Sequence, residues 1–129
     1  MGKDIKTIAV IGASTNRRKY GNIILRDLAR KGYEVIPVNP VQKEVEGMPV
    51  VHRLSDLPKN TDLLVFVVPA FVGIDMAREA IALGFTRLWF QPGAESGDII
   101  QLLESSEDIV GRYHDCVMLK TFKQGDLEM

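Results

Sequence analysis

The opening forty residues constrain the fold most. An apolar run, Ile8-Ala9-Val10-Ile11, passes into Gly12-Ala13-Ser14-Thr15-Asn16 and then the basic cluster Arg17-Arg18-Lys19. Tyr20-Gly21 leads an amphipathic stretch that reaches Gly32. A second apolar run, Tyr33-Glu34-Val35-Ile36-Pro37-Val38, stops at Asn39-Pro40. The pattern reads as strand, glycine loop, helix, strand. Two strands joined by a crossover helix lie parallel, so the chain must build its sheet with helices covering it.

The rest of the chain continues the alternation. The spacing predicts strand one over about Thr7–Ile11. Helix one follows over Tyr20 to Arg30, with Ile23, Ile24, Leu28 and Ala29 at helical spacing and Gly32 as the stop. Strand two covers Glu34–Val38. Met48–Val51 reads as a small strand or extended connection, and Ser55-Asp56-Leu57-Pro58 as a turn or a single helical turn. Leu63-Leu64-Val65-Phe66-Val67-Val68 is continuously apolar and closed by Pro69, the mark of a strand buried on both faces. Ile74–Leu83 is helical and ends at Gly84. Arg87–Phe90 is the next strand, and Ser96 or Asp98 caps a helix ending near Ser106. Ile109–Arg112 is a last extended piece before a polar tail, Lys123–Met129.

These elements imply one doubly wound α/β domain spanning residues 1–129, with a mainly parallel sheet of about five or six strands. Leu63–Val68 is expected at its centre, with Thr7–Ile11 alongside. The ligand crevice of such a sheet lies beyond the carboxyl ends of its central strands. The informative residues are therefore Gly12–Lys19, Asn39–Lys43, Val68–Phe71 and Gln91–Gly93.

Composition narrows the partners. The chain is 46% apolar and 26% charged, ordinary for a soluble globular domain. Its 16 basic and 17 acidic residues give a net charge of −1, which argues against bulk nucleic-acid binding. The one cysteine, Cys116, allows neither an intrachain disulfide nor a cysteine-rich metal site. It fits a reducing compartment. No apolar run is long enough to span a membrane, and Met1 to Lys6 is not followed by a long apolar segment. The expectation is a cytoplasmic protein.

The loop after strand one suits phosphate but not the nicotinamide dinucleotide fingerprint G-x-G-x-x-G. Ser14 and Arg17 stand where that fingerprint has its second and third glycines, and strand two ends in Asn39-Pro40 rather than in an acidic ribose partner. Ser14, Thr15 and Asn16 instead offer hydroxyl and amide groups beside backbone N–H donors. Arg17, Arg18 and Lys19 add positive charge at the start of a helix. The plain alternative is an exposed polar loop with solvated charges.

Taken together the motifs are more specific. Val10-Ile11-Gly12-Ala13-Ser14, Tyr20-Gly21, Gly32-Tyr33-Glu34-Val35, Val38-Asn39-Pro40, Gly47, Asp62-Leu63, Val67-Val68-Pro69, Gln91-Pro92-Gly93-Ala94 and Cys116 resemble the small bacterial and archaeal CoA-binding proteins. The match runs from about Ile5 to Cys116. The chain is also similar to the CoA-binding, Rossmann-like N-terminal domain of the succinyl-CoA synthetase alpha subunit. That larger protein has a second domain with a phosphorylated histidine. No such domain follows here, so its ligase chemistry is not expected to transfer.

The resemblance implies roles by position. Gly12, Ala13, Ser14, Thr15 and Asn16 would wrap the CoA diphosphate, and Lys19 with Arg17 or Arg18 would meet phosphate charge. Asn39 and Pro40 would border the adenosine. Lys43 lies near a phosphate-contacting lysine of the synthetase subunit, although the local spacing differs slightly. Val68, Pro69 and Phe71 would form an apolar wall, with Phe71 stacking on adenine or pantetheine. Gln91, Pro92 and Gly93 would close the crevice and offer backbone and amide groups to pantetheine. Tyr20 would pack under the loop rather than touch ligand.

Little else in the sequence carries chemistry. Cys116 is the one candidate nucleophile, and His114, two residues away on an extended segment, would share its face. The plain reading is a small buried thiol. His52 reads as a surface residue, and Trp89 and Phe90 as core. No metal-ligand spacing is present. The expectation is a module that binds CoA or a short acyl-CoA without catalysis. The alternatives are a nicotinamide-dependent oxidoreductase, an acyl-CoA enzyme using Cys116, or a CoA ligase subunit acting with a separate partner.

Overall fold

The structure, a computed structural model, describes residues 4–121. In chain order its elements are β1 (Thr7–Ile11), α1 (Tyr20–Arg30), β2 (Glu34–Val38), β3 (Glu44–Val45), β4 (Met48–Pro49), a 3-10 turn (Leu54–Asp56), β5 (Leu63–Phe66), α2 (Ala70–Ala82), β6 (Arg87–Phe90), α3 (Gly97–Ser105), β7 (Val110–Arg112) and α4 (Val117–Lys120).

Five strands form one sheet in the order β2-β1-β5-β6-β7, and every neighbouring pair is parallel. The chain winds outward from β1 to β2, then crosses back over β1 to β5 and continues the other way. The switch point therefore lies between β1 and β5, with Ile8 opposite Leu63 and Ile11 opposite Phe66. β5 is central, as its unbroken apolar run requires. Alternate residues of each strand serve opposite faces. Ala9, Ile11, Leu64, Phe66, Leu88 and Phe90 pack towards Ala77 and Ala80 of α2 and Ile99 and Leu103 of α3. Ile8, Val10, Leu63, Val65 and Trp89 pack towards Ile24, Leu25 and Leu28 of α1 and Val117 of α4. Phe66 and Phe90 stack in the first of these cores with ring centroids 4.3 Å apart.

The differences from expectation have local causes. β5 ends at Phe66 because Val67 makes one last ladder bond, its N–H donating to Ile11 O at 2.8 Å, before the chain turns away. α2 begins at Ala70 rather than Ile74. Pro69 (φ −56°, ψ 146°) caps it, and its carbonyl accepts from the N–H groups of Val72 and Gly73. Of Met48–Val51, only Met48–Pro49 forms a strand, paired antiparallel with Glu44–Val45, while Val51 makes a single parallel bridge to Val38. α1 buries Gly21, Asn22, Ile24, Leu25 and Leu28, leaving Ile23 half-buried and Ala29 exposed. Ser96 is the α3 cap, its Oγ accepting from Ile99 N–H at 3.2 Å. The short helix α4 was not expected. The tail from Lys123 to Met129 lies outside the described residues. No described helix is long and apolar enough to cross a membrane.

Candidate functional site

The loop after β1 is pressed between neighbouring backbones. Gly12 has φ +99°, and a Cβ there would lie 2.4 Å from Val67 O and 2.9 Å from Val68 Cγ1. Only glycine meets both demands. Gly21, in the first turn of α1, approaches the same residue so closely that a Cβ would lie 2.0 Å from Gly12 O. The N–H groups of Gly12 and Ala13 both donate to Val38 O, at 3.1 and 3.2 Å. They tie the loop to the end of β2 rather than project as anion donors. Beyond them the loop closes on itself. Asn16 N–H donates to Ser14 Oγ, Arg18 N–H to Asn16 Oδ1, and Lys19 N–H to Asn16 O, each at 3.0 Å. The N–H groups of Ser14, Thr15, Arg17, Tyr20 and Gly21 have no partner among the described residues. These backbone donors stand open beside the positive end of α1.

Two asparagines fix the loop from behind. Asn39 Nδ2 donates to Ala13 O at 2.8 Å, while its Oδ1 accepts from Val41 and Gln42 N–H at 2.8 and 3.0 Å. Its amide is a brace between two loops. Asn22 is fully buried. Its Nδ2 donates to Ser14 O at 2.8 Å and to Glu46 Oε2 at 3.1 Å, and its Oδ1 accepts from Arg26 Nε at 2.6 Å. Arg26 Nη2 in turn donates to Arg17 O at 3.2 Å. Sequence reasoning missed Asn22, Arg26 and Glu46. The available signal was Asn22 itself, which stands on the buried stripe of α1 one turn before Leu25.

A cleft of about 550 Å³ opens beside the loop, lined by Tyr20, Val67, Val68, Pro69, Gln91, Pro92, Gly93, Ala94 and Cys116. It sits at the carboxyl ends of β5 and β6, where the topology places a ligand. Gln91 is buried, and its amide is committed inside the protein. Nε2 donates to Cys116 Sγ at 3.3 Å and Oε1 accepts from Val117 N–H at 2.7 Å. The Gln91 amide thus braces the segment that carries Cys116 and Val117. Trp89 Nε1 donates to Asp115 O at 2.9 Å and helps hold the same C-terminal segment over the sheet.

Several residues stand elsewhere than expected. Phe71 is 78% exposed on the first turn of α2 and is not among the cleft-lining residues. The apolar wall is made by Val67, Val68 and Pro69 instead. Tyr20 lines the cleft rather than packing under the loop. Cys116 is half-buried at the cleft wall, not a fully buried thiol. His114 does not share an extended face with it. The residue has φ +68°, and its Nδ1 lies 3.8 Å from Glu95 Oε2. Arg17 is drawn to Glu46, its Nε 3.5 Å from Oε2. Thr15, Arg18, Lys19, Pro40 and Lys43 are exposed, and His52 is exposed with Nε2 2.8 Å from Gln42 O. Tyr113 donates its hydroxyl to Glu104 Oε1 at 2.7 Å, and that hydrogen bond to a carboxylate raises the phenol above its ordinary pKa. Among the described residues no group of three or more His, Cys, Asp or Glu could hold a metal ion.

A doubly wound parallel sheet with a donor-rich loop at its switch point and an apolar cleft alongside defines a nucleotide-binding class of domain. The chain belongs to the CoA binding domain family, which matches residues 6–121, in agreement with the resemblance carried by its motifs. It is 42% identical over 65 residues to acetate–CoA ligase (ADP-forming) I of Archaeoglobus fulgidus, a match covering 50% of this chain and 10% of the ligase. It is 26% identical over 99 residues to YneT of Bacillus subtilis, covering 77% of this chain and 73% of that protein. A conserved hypothetical protein from Pyrococcus furiosus superposes with a TM-score of 0.86 at 49% identity, covering 90% of this chain and 99% of that one. The chain thus spans about a tenth of the length of the ligase it matches.

Proposed function

We propose that this chain binds CoA or a short acyl-CoA across the β1/β5 switch point and performs no acyl chemistry of its own. The observation that carries this reading is the apolar cleft placed directly beside a donor-rich, cationic loop in a domain of the CoA-binding family. The diphosphate lies against Ser14 and Thr15 and the first turn of α1, with Lys19 and Arg17 or Arg18 neutralising its charge. Asn39, Pro40 and Lys43 border the adenosine end. The pantetheine arm enters the cleft between Val68-Pro69 and Gln91-Pro92-Gly93. Calorimetric titration with CoA, acetyl-CoA, NAD, NADP and ATP tests the assignment. CoA or acetyl-CoA should bind tightest, and Arg17→Ala with Lys19→Ala should weaken binding by roughly tenfold and flatten its salt dependence. NAD binding as tightly as CoA, and not displaced by it, would favour the oxidoreductase alternative.

Catalysis through Cys116 needs a base and an oxyanion site. The thiol's one described side-chain partner is Gln91, and His114 is turned towards Glu95. Acetyl-CoA and succinyl-CoA incubated with the protein should therefore release no free thiol. Release that disappears in Cys116→Ser would overturn this part of the reading. The identity to an ADP-forming ligase favours one second reading, a binding subunit for a ligase supplied in trans. Stimulation of such a ligase's activity by added chain would mark it.

A further inference from the structure

Arg17, one of the cations assigned to ligand phosphate, already faces an anion delivered from another part of the chain. Glu46 lies at the turn of the β3–β4 hairpin, and its Oε2 is 3.5 Å from Arg17 Nε. The same oxygen accepts from Asn22 Nδ2 at 3.1 Å, and that Nδ2 also donates to Ser14 O at 2.8 Å. The carboxylate is thus joined to the loop both through a buried asparagine and through the arginine. The two partners are unequally held. The Glu46 side chain is 24% exposed, against 65% for Arg17. Glu46 also occupies the left-handed region at φ +51°, which fixes where the turn presents its carboxylate.

We propose that Glu46 competes with ligand phosphate for Arg17 and so sets the affinity of the site. Asn22 holds the carboxylate in place, and the exposed arginine is the member that changes partner. A phosphate offers more charge and more acceptor oxygens than a carboxylate, so the exchange runs towards ligand. Breaking the Arg17–Glu46 pair nevertheless subtracts from binding. This inference rests on the CoA-binding reading and makes Glu46 a positioning residue that touches no ligand.

The test is titration of CoA into wild type, Glu46→Gln, Arg17→Ala and the double variant, at low and high salt. Glutamine keeps an oxygen for Asn22 Nδ2 and removes only the charge. Glu46→Gln should bind CoA about two- to fivefold more tightly at low salt, the range expected for losing one exposed ion pair, and the gain should shrink at high salt. In the Arg17→Ala background the gain should vanish. A purely structural role for Glu46 would instead lower CoA affinity in Glu46→Gln along with the thermal midpoint. Unchanged or weaker binding by Glu46→Gln, or a gain that persists without Arg17, overturns the inference while wild-type CoA binding still stands. A wild-type protein that takes no CoA overturns the binding reading, and the inference with it.

Discussion

Gly21→Ala should destabilise the fold by about 2–4 kcal/mol, more than an ordinary overpacking substitution, and should remove CoA binding with it. The sign is what makes the substitution informative. Alanine is a better helix former than glycine by about 1 kcal/mol, so propensity at a position inside α1 (Tyr20–Arg30) forecasts a gain. The backbone forecasts the reverse. The new methyl group would lie 2.0 Å from Gly12 O and 3.2 Å from Ala13 Cα, and neither atom belongs to a flexible side chain. Relief requires the loop and α1 to separate. The loop cannot give way freely, because Gly12 and Ala13 are tied to Val38 O and Gly12 is itself pressed on Val67 O. Urea denaturation gives the stability change, and titration with CoA gives the functional one. A stability gain would show that α1 slides without cost and that the seam between loop and helix is looser than described.

Trp89→Ala should cost about 3–5 kcal/mol, the range for truncating a large buried aromatic side chain. Trp89 is fully buried in β6, on the sheet face covered by α1 and α4. It also reaches out of the sheet in two ways. Its Nε1 donates to Asp115 O at 2.9 Å, and the Arg112 guanidinium lies 5.0 Å over its ring. The milder Trp89→Phe separates these roles. It keeps much of the apolar volume and drops the bond to Asp115, so it should cost less and loosen the segment that carries Cys116. A thiol reagent should then modify Cys116 faster in Trp89→Phe than in wild type under native conditions. Equal rates would mean that the bond to Asp115 is dispensable and that Gln91 and Lys31, through Cys116 Sγ, Val117 N–H and Met118 O, hold the segment.

The elements that were legible in the sequence are those whose residues are buried by repetition. β1, α1, β2 and β6 fall at the boundaries their apolar patterns predict, because each has a run of side chains that only one secondary structure can bury together. The ends of β5 and α2 were less legible. Val67 and Val68 are as apolar as the strand before them, and only the turn towards the cleft ends the ladder after the Val67 N–H bond. The family resemblance implies a wall role for Phe71, yet its place on the first turn of α2 leaves it in solvent. The short helix α4 offers too few residues for a period, and the left-handed backbone at His114 falls on a residue type that does not announce it.

The site was legible in outline and not in its wiring. The positions after each strand follow from topology, so Gly12–Asn16, Asn39 and Gln91 were named as candidates. What each polar side chain does there depends on partners far away in sequence. Asn39 and Gln91 carry groups suited to a ligand but spend them on Ala13 O, Cys116 Sγ and Val117 N–H. Asn22 and Glu46 were passed over because an amide in an amphipathic helix and an acid in a polar turn both look solvated until the fold brings them together.

The shared acceptor at Val38 O has a consequence for how a ligand is received. With Gly12 and Ala13 pinned there, and Asn22 and Asn39 gripping the next two carbonyls, the conformational entropy of the loop is lost during folding rather than on encounter. On the proposed CoA-binding reading, such a cradle acts as a rigid template. It would gain selectivity by matching the placement of negative charge to donors already aimed, instead of by wrapping around whatever arrives.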